Sequence, residues 1–186
     1  MGPSRLFKGT AITLAVLAAL ACLVLQLLCR VAGPPGQITD VTRYAEIRDS
    51  FEGSVLVQHF PDAIFSTATE TKLDYLPRLM QGGSHFRLRL TLPPEQIRDL
   101  YLHFDAIAAY RYMGGAAPHN TLADKIPATR FYTSATDDTS FPDSYEILVL
   151  GAEPGGSSEF AWNHGHSYGV AIDVSASEIV YWFEYW

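Results

Sequence analysis

Hydrophobic positions divide this chain into one unbroken apolar run and a series of shorter periodic segments. The run, AITLAVLAALACLVLQLLC, extends from Ala11 to Cys29 with only Thr13 and Gln26 as polar breaks. A helix of that length spans roughly 30 Å, the thickness of a bilayer's hydrocarbon core. It predicts a transmembrane anchor over 9–31, preceded by a tail over 1–8. GPPG at 33–36 breaks the helix inside a linker over 32–39.

Beyond the linker the period changes from segment to segment. Val41, Tyr44, Ile47 and Phe51 recur at helical spacing and predict a short amphipathic helix. SVLVQHFPDAI, starting at Ser54, reads as an extended segment ended by Pro61. TKLDYLPRLMQGGSH reads as an extended piece and then a loop at Gly82-Gly83. FRLRLTL, 86–92, alternates strictly: Phe86, Leu88, Leu90 and Leu92 share one face, and Arg87, Arg89 and Thr91 share the other. That is the pattern of a half-buried strand. Pro93-Pro94 then opens the main helix, since proline suits a first helical turn. Its stripe of Ile97, Leu100, Tyr101, Phe104, Ile107 and Ala108 predicts about 18 residues, ending near Met113-Gly114-Gly115.

Residues 114–143, rich in Pro, Thr, Ser, Asp and Gly, predict a long irregular excursion with a short strand at Phe131-Tyr132. SYEILVLGAEP is a strand, and SYGVAIDV and EIVYWFEYW are two more, joined as a hairpin at 175–177. The expected fold is therefore α+β over residues 40–186. A mostly antiparallel sheet carries one main helix on a face and ends in a C-terminal hairpin. The last strand has aromatic residues on both faces, with Ile179, Tyr181, Phe183 and Tyr185 on one and Val180, Trp182, Glu184 and Trp186 on the other. A strand of that kind is expected to be covered on both sides.

Charge sharpens the picture. Of 13 basic residues, Arg5, Lys8 and Arg30 lie in the first thirty, which hold none of the 20 acids; the remainder carries a net charge of −10. Arg5 and Lys8 before the span place the N-terminus inside the cytoplasm and the domain outside, in a single pass through the inner membrane. Arg30, just beyond the apolar run, argues mildly against that orientation. An acidic domain repels phosphate backbones, which excludes nucleic acid as a partner. The partners expected are the membrane, through the N-terminal helix, and an envelope protein or glycan. Both cysteines, Cys22 and Cys29, lie in the apolar run, so a Cys–His enzyme and a thiolate zinc site are excluded from the domain. Cleavage after Ala19-Leu20-Ala21, or lipid attachment at Cys22, is the rival fate of the N-terminus. Continuation of the run through Cys29 favours an uncleaved anchor.

Chemistry concentrates in WNHGHSYGV, 162–170. His164 and His166 are two apart and point the same way on an extended chain, within reach of one ion. Zinc needs three or four ligands, and His59, His85, His103 and His119 are scattered singles. The pair reads better as hydrogen-bonding histidines at the start of a strand. Neither a metal nor another cofactor is expected, and no catalytic residue is assigned. Ser84 and Ser157 lack the G-x-S-x-G setting of a nucleophile. The residues expected to touch a ligand are His164, His166, Trp182, Glu184 and Trp186, with the two indoles stacking and Glu184 giving a polar contact. The alternative is a membrane-tethered hydrolytic or metal-dependent enzyme using His164 and His166.

SYGVAIDVSASEIVYWFEYW, together with MQGGSHFRLRLTLPPEQI, resembles uncharacterised bacterial membrane-anchored or lipoprotein-type proteins. The resemblance covers those two blocks and implies an envelope location. It implies no activity, cofactor or site residue.

Overall fold

Strand formation dominates wherever β-branched and aromatic residues alternate, and the alternation sets which face each side chain takes. The computed structural model describes residues 36–78, 83–115, 141–155 and 165–185. The apolar run, the strand predicted at 131–132, Trp162, His164 and Trp186 lie outside them.

The described residues form an α+β fold. Helix α1 is Tyr44–Asp49, led in by a 3-10 turn at Val41–Arg43 that the Asp40 carboxylate caps by accepting from Thr42 N at 3.0 Å. Strands β1 (Glu70–Leu76) and β2 (Ser84–Thr91) precede helix α2 (Pro94–Ile107). Strands β3 (Tyr110–Met113), β4 (Glu146–Glu153), β5 (His166–Asp173) and β6 (Glu178–Tyr185) follow. All six strands belong to one sheet in the order β1-β2-β6-β5-β4-β3, and every neighbouring pair is antiparallel. The C-terminal hairpin is β5–β6, and β6 lies between β2 and β5, near the middle of the sheet.

One face of the sheet carries the main core. Phe86, Leu88 and Leu90 of β2, Ile179, Tyr181 and Phe183 of β6, and Val170 and Ile172 of β5 pack there with Tyr44 and Ile47 of α1 and Ile97 and Phe104 of α2. Ring stacking knits it together: the Phe60 and Phe86 centroids are 4.7 Å apart at 10°. The opposite face is buried as well. Val180, Trp182, Ala171, Ile147 and Val149 cluster there with Phe141 and Tyr145. The sheet is thus covered on both sides, and Arg87, expected on an outward face, is buried.

Two expected elements differ. The main helix stops at Ile107, because Ala108 is extended (ψ 128°) and the Ala109 amide donates to the Val149 carbonyl at 2.9 Å. Tyr110–Met113 then pairs with β4, so the predicted last helical turn is an edge strand. The segment after Ser54 is likewise not extended. Val55–Val57 is a 3-10 turn, with Ser54 Oγ accepting from Leu56 N. The turn lets Leu56 and Val57 be buried together, which a strand would forbid by sending them to opposite sides.

Candidate functional site

The β5–β6 register separates the residues singled out in the sequence. His166 stands opposite Tyr185, and Ser167 opposite Glu184. His166 therefore shares the face of Tyr168 and Val170, while Trp182 and Glu184 take the other. The His166 ring lies 5.4 Å from that of Tyr185, and its Nε2 is 3.9 Å from Glu153 Oε2, beyond hydrogen-bond range. Glu153 is largely exposed, so solvent screens this pair. Trp182 has no exposed surface, which leaves its ring no open face for stacking in this state. His164 and Trp186 lie outside the described residues.

Glu184 leads to a constellation the sequence did not reveal. Strand pairing sets Asp74 of β1 opposite Arg87 of β2, Arg87 opposite Trp182 of β6, and His85 opposite Glu184. Alternation points Asp74, His85, Arg87 and Glu184 to one face. There Arg87 Nη1 donates to Asp74 Oδ2 at 2.9 Å, and its Nη2 donates to Glu184 Oε1. Gln37 Nε2 donates to Asp74 Oδ1 at 2.6 Å. His85 Nε2 is 3.0 Å from Asp74 Oδ2, close but poorly directed for a hydrogen bond. Two residues further along β2, Arg89 Nη2 reaches both oxygens of Glu178 at 2.7 and 2.6 Å, and the Tyr145 hydroxyl also donates to Glu178. Asp74, Arg87 and Glu184 are all buried.

Electrostatics follow from the geometry. Burial pushes the Asp74 carboxyl up, but His85 beside it, the Gln37 amide and the Arg87 charge outweigh that, and its pKa is held below the ordinary 3.8. Asp74 is thus kept ionised, as the acceptor of a planar guanidinium fork that one ammonium could not replace. Burial, reinforced by the bond to Glu178, pushes the Tyr145 phenol up, so it stays a neutral donor. The arrangement can pin three strands in register. An acid held in its charged form is not poised to give a proton.

Among the described residues, no group of three or more His, Cys, Asp or Glu side chains is placed to hold a metal ion. The signal in the sequence for this ladder was the pair Arg87 and Arg89 on one strand face and the acids Glu178 and Glu184 in the last strand. Which strands paired, and in what register, was the missing information. Comparison of the chain with protein-family models, with curated proteins and with solved structures finds no match.

Proposed function

We propose that the protein is a single-pass envelope protein. Its N-terminus lies in the cytoplasm, its anchor over 9–31 crosses the inner membrane, and its domain over 40–186 lies outside. The domain acts by binding an envelope protein or glycan, or as a structural part, and not by catalysis. The observation that carries the non-catalytic reading is Arg87 held between Asp74 and Glu184. These buried acids are engaged in holding β1, β2 and β6 together, and Asp74 is kept charged. The location rests on Arg5 and Lys8 ahead of the 11–29 apolar run. Among the described residues, no helix is long and apolar enough to cross a membrane; the run lies outside them.

Two measurements test this. A reporter active only after export, fused behind Trp186, is expected to be active; a silent export reporter with a bright cytoplasmic one overturns the topology. The purified full chain is expected to carry well under one equivalent of zinc, copper, iron or nickel, and chelator is expected to leave its Tm unchanged. Stoichiometric metal lost in both His164→Ala and His166→Ala would overturn this reading and promote the metal-dependent enzyme.

A further inference from the structure

His59 is the one histidine set against the middle of the sheet from a non-strand segment among the described residues. It follows the Val55–Val57 turn and precedes Pro61. Its ring lies 4.7 Å from that of Phe60, 5.6 Å from Tyr168 of β5 and 6.4 Å from Tyr181 of β6. Nε2 sits 3.1 Å from the Trp182 carbonyl oxygen, with the Gly169 main chain also bonded to the ring. A carbonyl only accepts, so Nε2 carries the proton in the neutral ring. Nδ1 then bears a lone pair, is shut off from water and has no partner.

We propose that His59 fastens the 54–62 segment to the sheet only while its ring is neutral, making that segment an acid-released strap over the main core. A second proton on Nδ1 would find no acceptor and would put a charge among three aromatic rings. The titratable groups facing the ring are the phenols Tyr168 and Tyr181, both pushed up by burial and therefore uncharged through the acid range. Among the described residues the acid acting on this cluster is Glu153, which acts on Tyr168. Among the described residues, no carboxylate acts on His59 to steady an imidazolium. Burial, opposed by the two main-chain bonds, depresses the His59 pKa from 6.5 to about 4. Of the other ties of the segment, the Tyr44 hydroxyl donates to the Pro61 carbonyl at 2.5 Å and Phe60 is buried, neither of which titrates in acid; the exposed Asp62 carboxylate pairs with Arg48 at the segment's end, where solvent screens it.

The sign is fixed by linkage. The unfolded or released ring takes up a proton below about 6.5, and the fastened ring resists until about 4. Release therefore becomes easier as pH falls through that window, by up to about tenfold per pH unit for one proton.

Hydrogen exchange of the full chain in detergent, corrected for intrinsic rates, tests this between pH 7 and 4.5. Peptides covering 51–64 are expected to lose protection before those of β5 and β6. His59→Gln keeps a donor for the Trp182 carbonyl and cannot titrate, so its loss of protection is expected to be independent of pH over this range. The same pH dependence in His59→Gln, or a uniform loss across the sheet, overturns the proposal. If that variant does not fold, the His59 ring resonances of the wild-type chain decide: a midpoint near 4 supports the strap, and one near 6.5 overturns it.

Discussion

Removing the Arg87 guanidinium leaves two carboxylates where water barely reaches, Asp74 on one side and Glu184 on the other. A buried charge stripped of its partner costs about 3–5 kcal/mol, so Arg87→Met is expected to lower the urea midpoint steeply. Arg87→Lys should recover only part of the loss, because an ammonium does not span two acids as the fork does. Asp74→Asn separates this contribution by pH. The folded pKa of Asp74 is depressed, so its stabilisation is present above the ordinary 3.8 and is lost as pH falls through the folded value. Wild type should therefore show a deeper acid limb below about pH 4 than Asp74→Asn, which keeps only the part due to other depressed carboxylates such as Asp173. The His59 window lies above that, so acid titrations of the two variants lose different limbs. At this scale the sequence was only half legible. Alternation assigned Glu184 and Trp182 to one face correctly, and placed Arg87 and Arg89 together. It could not say that their face is buried, since the acid facing Arg87 across β1 comes from Asp74, in a segment read only as extended.

Between β4 and β5 the chains approach so closely that side chains are excluded at one position. A Cβ on Gly169 would lie 2.2 Å from the Leu148 carbonyl oxygen and 3.0 Å from Val149 Cα, both main chain. Strand backbone cannot step aside without opening the pairing, so Gly169→Ala is expected to cost at least about 2 kcal/mol. Gly151, at the register shift in β4, is different: its Cβ would meet the Tyr168 ring at 2.6 Å. A ring can swing, so Gly151→Ala should cost about 1 kcal/mol. Thermal melts of the two variants rank them, and equal losses would mean that β4 yields as readily as a side chain. The elements misread from sequence failed for a related reason, namely competition from distant partners. Ala108-Ala109 are good helix formers and the apolar stripe runs through them, yet the Val149 carbonyl captures the Ala109 amide and β4 captures the next four residues. Val55 and Val57 favour strands, but a turn buries Leu56 and Val57 on one side, and the core takes both. The strands β2, β4, β5 and β6 were legible because β-branched and aromatic residues dominate them between turn-forming stretches, although burial alternates little: Ile179 to Glu184 of β6 are all buried.

The last strand decides the whole molecule, because it is inserted between β2 and β5. The class was readable from the order of periods, a helix, a strand, the main helix and then a run of strands. The strand order was not, since β2 pairs with a segment about ninety residues further on, and no local pattern encodes such a partner. This connectivity implies that the sheet cannot close until its final residues are present. Deleting 181–186 removes Tyr181, Trp182 and Phe183, each essentially unexposed. At about 1.5–3 kcal/mol per side chain that loss rivals the 5–15 kcal/mol that holds a typical domain together. It also leaves β2 and β5 with unpaired edges and Arg87 without Glu184. The truncated chain is therefore expected to be unfolded, with no cooperative melt and no dispersed amide spectrum. A chain starting at Gly36 should behave in the opposite way. It keeps the six strands and both helices of the described residues and the Gln37–Asp74 bond, so it is expected to fold alone with a Tm within a few degrees of the full protein. A full-length melt in the C-terminal truncation would show that β6 is dispensable to the core. Failure of the 36–186 chain to fold would show that the first 35 residues contribute to it.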